Sequence, residues 1–149
     1  MIRKLAFAAF AGALIASTAA FAVDTTPTKG APNLTAVRAA IKAKQFPAAV
    51  KELTGMIDAG VQHADVYNLL GFSLRKSGDQ KAAMTYYAKA LDFDANHKGA
   101  LEYQGELYVE LGEVAKARVN LASLEKLCPT GCEEREDLEK ALATVAKTN

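Results

Sequence analysis

Cys128 and Cys132 are the chain's only cysteines, and they sit in the segment LCPTGCEE. Pro129 and Gly131 let the backbone turn between them, which can bring the two Cα atoms to a bridgeable distance. Three chemistries fit such a pair. In an oxidising compartment the default is a local disulfide, whose short loop contributes only about 2 kcal/mol in the chain-entropy picture. A redox-active pair is the second, although thioredoxin-type centres use C-x-x-C and this spacing is one residue longer. A soft-metal site, for Cu(I) as an example, is the third. It needs further ligands, and Met56, Met84, His63 and His97 are all remote in sequence. No His follows Cys132, so the pattern is not one for haem attachment.

His63 and His97 stand 34 residues apart. If that interval is a structural repeat, neighbouring copies would bring them to about 10 Å from each other. The plain reading is a repeated polar loop position. A shared metal would have only Asp65 and Asp94 to support it. The chain lacks G-x-S-x-G, P-loop and H-E-x-x-H patterns. No enzyme and no cofactor are expected.

Which cysteine chemistry applies depends on the compartment. Residues 5–22 read LAFAAFAGALIASTAAFA, an uncharged apolar run preceded by Arg3 and Lys4 and followed by the polar Asp24-Thr25-Thr26-Pro27. A basic start, an apolar centre and the small-residue ending Ala20-Phe21-Ala22 describe an export signal over residues 1–22, cut after Ala22. The run is at the short limit for a membrane span, so no stable anchor is expected after cleavage. The protein is then periplasmic or secreted, and a disulfide leads for the cysteines.

Export also changes the totals. The 149 residues are 50% hydrophobic, with 18 basic and 17 acidic side chains. That near-balance argues against a nucleic-acid surface. Losing Arg3 and Lys4 leaves the mature chain one basic residue short of its acidic count. Its length can bury a core without staples. With no Trp and abundant Ala, the composition favours helix.

The elements that must position these residues recur with a period. Residues 23–33, rich in Pro and Thr, read as a flexible leader. Shifting the remainder of the chain by 34 residues superposes Ala49, Ala83 and Ala117, then Leu53, Tyr87 and Leu121. Gly71 falls on Gly105 with Val37 in their slot, and Gly78 falls on Gly112 with Lys44 in theirs. Each period holds two helices. They are expected over Leu34–Ala43 and from Pro47, over Ala64–Ser77 and Gln80–Phe93, and over Gly99–Leu111 and Val114–Leu127. Gly78 suits a left-handed helix end, and Asp79 suits the next N-cap. Gly71 and Gly105 would let each first helix cross its partner closely, opposite Ala83 and Ala117. Residues 133–146 carry an apolar stripe (Leu138, Ala141, Leu142, Val145), with Thr130 and Glu133 at capping-box spacing. This helix would close the open end of a stack.

On these residues the chain resembles the tetratricopeptide repeat (TPR) family. The second copy carries the pattern best, in Tyr67, Leu70-Gly71, Leu74, Ala83, Tyr87 and Ala90. The third keeps Gly105, Tyr108, Ala117 and Pro129 but has Gln104 where Leu is usual. The first keeps mainly Ala49 and Leu53. LCPTGCEE and the helix after it also look like the ending of small exported bacterial TPR proteins. The resemblance implies an all-α solenoid of three helix pairs, at about 30–63, 64–97 and 98–131, with a capping helix and tail over 132–149 and a right-handed superhelix.

It also implies a concave face lined by the first helix of each pair. Carried over position by position, that face comprises Arg38, Ile41 and Lys42, then Asn68, Phe72, Arg75 and Lys76, then Glu102, Glu106, Val109 and Glu110. Such a groove is basic at one end and acidic at the other, with Phe72 as its apolar anchor. The three glutamates are spaced i, i+4, i+8 and repel one another unless Arg75 and Lys76 compensate them. Gly99 and Tyr103 stand where carboxylate-clamp TPR modules place basic residues. The expectation is a non-enzymatic exported adaptor that binds a protein or peptide of the bacterial cell envelope. A redox or metal-handling factor using Cys128 and Cys132 is the alternative, and self-association through the first repeat is a third.

Overall fold

The structure, a computed structural model, describes residues 30–146. The expected export signal over residues 1–22, residues 23–29 of the expected leader and the last three residues lie outside the described residues. Those that are described form seven helices and no strand: α1 (Thr35–Lys42), α2 (Phe46–Asp58), α3 (Ala64–Lys76), α4 (Gln80–Phe93), α5 (Lys98–Glu110), α6 (Val114–Leu127) and α7 (Glu133–Ala146). Packing runs between near neighbours: α1 on α2, α3 on α4, α5 on α6, with α2 on α3 and α4 on α5 joining the hairpins. α7 lies against both α5 and α6.

The helix ends are set by their residues. Gly60, Gly78 and Gly112 end α2, α3 and α5 at φ 85°, 93° and 75°. Each lets the next N–H fold back onto a carbonyl of the last turn, as Asp79 N to Leu74 O at 2.9 Å. Asp79 caps α4 by accepting from Ala82 N at 3.0 Å. Lys44 holds the same place after α1, at φ 57°, with Gln45 N bonded to Ala40 O at 2.8 Å. A side chain in that region costs about 1 kcal/mol. Lys44→Gly is therefore expected to raise stability by about 0.5–1 kcal/mol, read as a higher urea midpoint at unchanged slope.

Two contacts differ from expectation. Gly71 does sit against α4, but for Gly105 the nearest atoms to a built Cβ all belong to Leu138 of α7, at 2.6 to 3.3 Å, not to Ala117. The cap helix presses into the space that this missing side chain leaves. Nor does Thr130 start α7, because the helix begins at Glu133 and Glu136 N bonds to Cys132 O at 3.0 Å. The core is continuous along the stack, from Val37, Leu53, Val66 and Leu70 at one end to Ala117, Leu124 and Leu138 at the other.

Candidate functional site

α1, α3, α5 and α7 turn side chains into a common face that holds two adjoining hollows. One, of about 250 Å³, is lined by Arg38, Ile41, Lys42, Leu69, Phe72 and Tyr103. The other, of about 300 Å³, is polar, and Arg38, Leu69 and Tyr103 line it as well. The Phe72 ring is half-buried, 4.9 Å from Tyr103 and 6.3 Å from Phe46 between centroids, with the Lys76 ammonium 5.3 Å over it. Packing on three sides holds the ring in place, so that its free edge forms a preformed apolar wall.

Arg75 lies deeper, with its side chain only 7% exposed. Its Nη1 donates to Glu106 Oε2 at 2.7 Å, and its Nε and Nη2 donate to the Glu110 carboxylate, which also accepts from Gln80 Nε2 at 3.1 Å. Two rows of the face, α3 and α5, are tied by this one guanidinium. Burial on its own would lower the Arg75 pKa, but the hydrogen bonds it donates to Glu110 and Glu106 raise it overall. The same bond to Arg75 holds the Glu110 carboxyl below its ordinary value. The basic and acidic ends of the groove are thus partly joined to each other rather than left open.

Glu102 behaves in the opposite way. It is buried, with no hydrogen bond or ion pair among the described residues. Burial pushes its carboxyl up to about 8, with Glu106, Asp137, Glu134 and Glu133 adding to the effect. The folded state then holds a proton that the unfolded chain releases near its ordinary pKa. Stability is therefore intact below the unfolded value and declines as pH rises toward 8. Glu102→Gln should match wild type at pH 5 and exceed it by about 1–2 kcal/mol at pH 8.5, after discounting for water in the hollow. Melting temperatures at the two pH values measure this.

The remaining predicted residues divide between rim and interior. Arg38, Lys42 and Lys76 are exposed, and Ile41 and Val109 are half-buried. Asn68 is 4% exposed, and its Oδ1 has no hydrogen-bond partner among the described residues. His63 and His97 are helix N-caps: Nδ1 of each accepts a backbone N–H, from Asp65 at 3.2 Å and Ala100 at 3.0 Å. His97 Nε2 then carries the proton and donates to Asp65 Oδ1 at 3.0 Å. Residue spacing alone carried no sign of that link, because His is not a usual cap residue. Cys128 and Cys132 stand at disulfide distance, with Cα atoms 5.9 Å apart, joining the end of α6 to the start of α7. Among the described residues no group of three or more His, Cys, Asp or Glu is placed to hold a metal, and no helix is long and apolar enough to cross a membrane.

A family model described as a tetratricopeptide repeat matches residues 64–97, the hairpin of α3 and α4. The hairpin of α3 and α4 is a tetratricopeptide repeat. The matched repeat holds Asn68, Phe72 and Arg75, the centre of the shared face. The chain is also similar to an uncharacterized protein, ycf37, of Porphyra purpurea, at 30% identity over 73 residues, 45% of this chain and 42% of the relative. It thus spans less than half the length of the curated relative that it matches. TPR proteins are in general scaffolds for protein–protein interaction rather than catalysts.

Proposed function

We propose that this chain is a non-enzymatic, exported scaffold that binds a protein or peptide segment of the bacterial cell envelope along the face of α1, α3 and α5. The observation that carries the reading is the Phe72 hollow, an apolar wall fixed by Phe46 and Tyr103 and rimmed by Arg38 and Lys42. A preformed surface of this kind leaves the ordering cost mostly to the ligand, and a clamped aromatic with a basic rim suits an extended segment carrying apolar and acidic side chains. Export is supported by the apolar run of residues 5–22 behind Arg3 and Lys4, and by a cysteine pair at bonding distance. A wider hollow of about 860 Å³ runs along α4, lined by Met84, Thr85, Ala88 and Leu111 among others. It is mainly apolar and carries none of the buried charged groups, so it offers less to fix a ligand's register.

The test is capture from envelope extract by immobilised wild type, Phe72→Ala and Lys81→Glu, quantified by mass spectrometry. Phe72→Ala is expected to lose a partner that Lys81→Glu, on the α4 side, retains, at unchanged helix content. A partner held equally by all three proteins would count against the face.

A further inference from the structure

The polar hollow beside Phe72 has an uneven charge balance. Its walls include Asp65, Glu102, Glu133, Glu134 and Asp137, against Arg38 alone among fixed cations. Three of these carboxylates have partners. Asp65 accepts from His97, Glu134 lies 3.6 Å from Lys98 Nζ, and Asp137 lies 2.7 Å from Lys140 Nζ. Glu102 and Glu133 make no ion pair among the described residues, and Arg38 stays 60% exposed at the mouth, 4.0 Å from Asp65. The second observation is Asn68. It lines the hollow, is only 4% exposed, and leaves Oδ1 without a donor. A buried amide oxygen without a partner costs free energy. Gly99, across from it, keeps the space open: a Cβ there would lie 3.1 Å from Asn68 Nδ2.

Once Glu102 is ionised, two carboxylates without ion pairs and one unpaired carbonyl oxygen face the hollow, and Arg38 at its mouth is the one fixed cation lining it among the described residues. An organic cation with several N–H groups satisfies such oxygens by donating to more than one of them at once. A guanidinium suits them better than an ammonium. Its planar fork reaches several acceptors at once, and it is more weakly hydrated, so it gives up less on entering a half-closed hollow. We propose that this hollow is a specificity subsite for the arginine side chain of a bound segment, entering beside the residues seated over Phe72. The inference rests on the binding reading above, since Arg38, Leu69 and Tyr103 line both hollows.

The subsite carries a pH signature. Glu102 faces Arg38 from α1, Asp65 and Asn68 from α3, and Glu133, Glu134 and Asp137 from α7, with His97, Tyr103 and Glu106 from its own helix and cap. In the free protein its carboxyl is protonated below about 8. A guanidinium binds the ionised form, so affinity rises with pH up to that value and binding releases a proton.

The experiment is a titration of the 15N-labelled full chain with N-acetyl-arginine amide and with N-acetyl-citrulline amide, the neutral isostere. The arginine compound is expected to shift the Asn68, Gly99 and Glu102 amides, more tightly at pH 8 than at pH 6. The citrulline compound should bind about tenfold more weakly, and Glu102→Gln should remove the difference while leaving the other amide shifts in place. Equal binding of both compounds, no binding of arginine amide, or binding that survives both Glu102→Gln and Asn68→Ser overturns the subsite. If arginine amide fails while Phe72→Ala still loses its partner, the subsite falls and the binding face stands. If arginine amide binds as described and Phe72→Ala captures normally, the binding face falls instead.

Discussion

Gly71→Val is expected to lower unfolding free energy by about 3 kcal/mol, seen as a lower urea midpoint. Gly71 lies mid-helix in α3 and is buried against α4. Even a single Cβ would lie 2.7 and 2.8 Å from Tyr87 Cδ1 and Cε1, and 3.1 Å from the Ala83 carbonyl oxygen. Neither neighbour can yield cheaply. Ala83 O is backbone, and Tyr87 is fully buried, packed with Leu107. Two further methyl groups have nowhere to go without parting the helices. Gly55, mid-helix in α2, is the control. A Cβ there meets nothing within 4 Å, so Gly55→Ala should stabilise by about 1 kcal/mol through helix propensity alone. If the two substitutions shift stability in the same direction, the close crossing of α3 and α4 is wrong.

Arg75→Ala is the second large effect, expected to cost about 3 kcal/mol near neutral pH. The guanidinium is the only cation bonded to both Glu106 and Glu110 among the described residues. Removing it leaves two carboxylates one helical turn apart with the Gln80 amide as the remaining donor to Glu110. Glu106→Ala combined with Glu110→Ala should recover part of the loss, giving a coupling energy of about 1–2 kcal/mol in the cycle. The pH dependence has a definite sign. The Glu110 carboxyl is depressed in the folded state, so its contribution is present above the ordinary carboxylate pKa and fades as pH falls through the depressed value. The penalty of Arg75→Ala should shrink in acid. For Glu102, whose carboxyl is raised, stability is lost in base. Two glutamates on one helix thus titrate in opposite directions because one has a guanidinium and the other has burial.

Much of this architecture was legible in the residues. A 34-residue register, glycines at helix ends and Asp79 at an N-cap place the helices within a residue or two of their observed bounds. Lys44 was legible as the residue in the slot of Gly78 and Gly112, and its left-handed backbone came only with the structure. Depth was not legible. Repeat positions name a face of each helix, but Asn68 and Glu102 lie at the bottom of a hollow because α7 packs over α5. That placement depends on Leu138 entering the gap at Gly105, a contact between segments more than thirty residues apart. Arg75 was legible as a partner for the glutamate ridge of the next copy and does join Glu106 and Glu110, whereas Lys76 lies over the Phe72 ring instead, since charge sign along a helix does not fix which side chains meet across helices. The two histidines were legible as a repeated position but not as caps linked through Asp65.

Binding is proposed on the face built by α1, α3 and α5. Amide hydrogen exchange of the full chain, free and with the captured partner, tests it most directly. Slowed exchange around Phe72 in α3 and around Tyr103 in α5, with the exposed side of α4 around Met84 and Ala88 unchanged, is the predicted result. Protection centred on Met84, Ala88 and Leu111 instead, with the Phe72 region unaffected, would contradict the account.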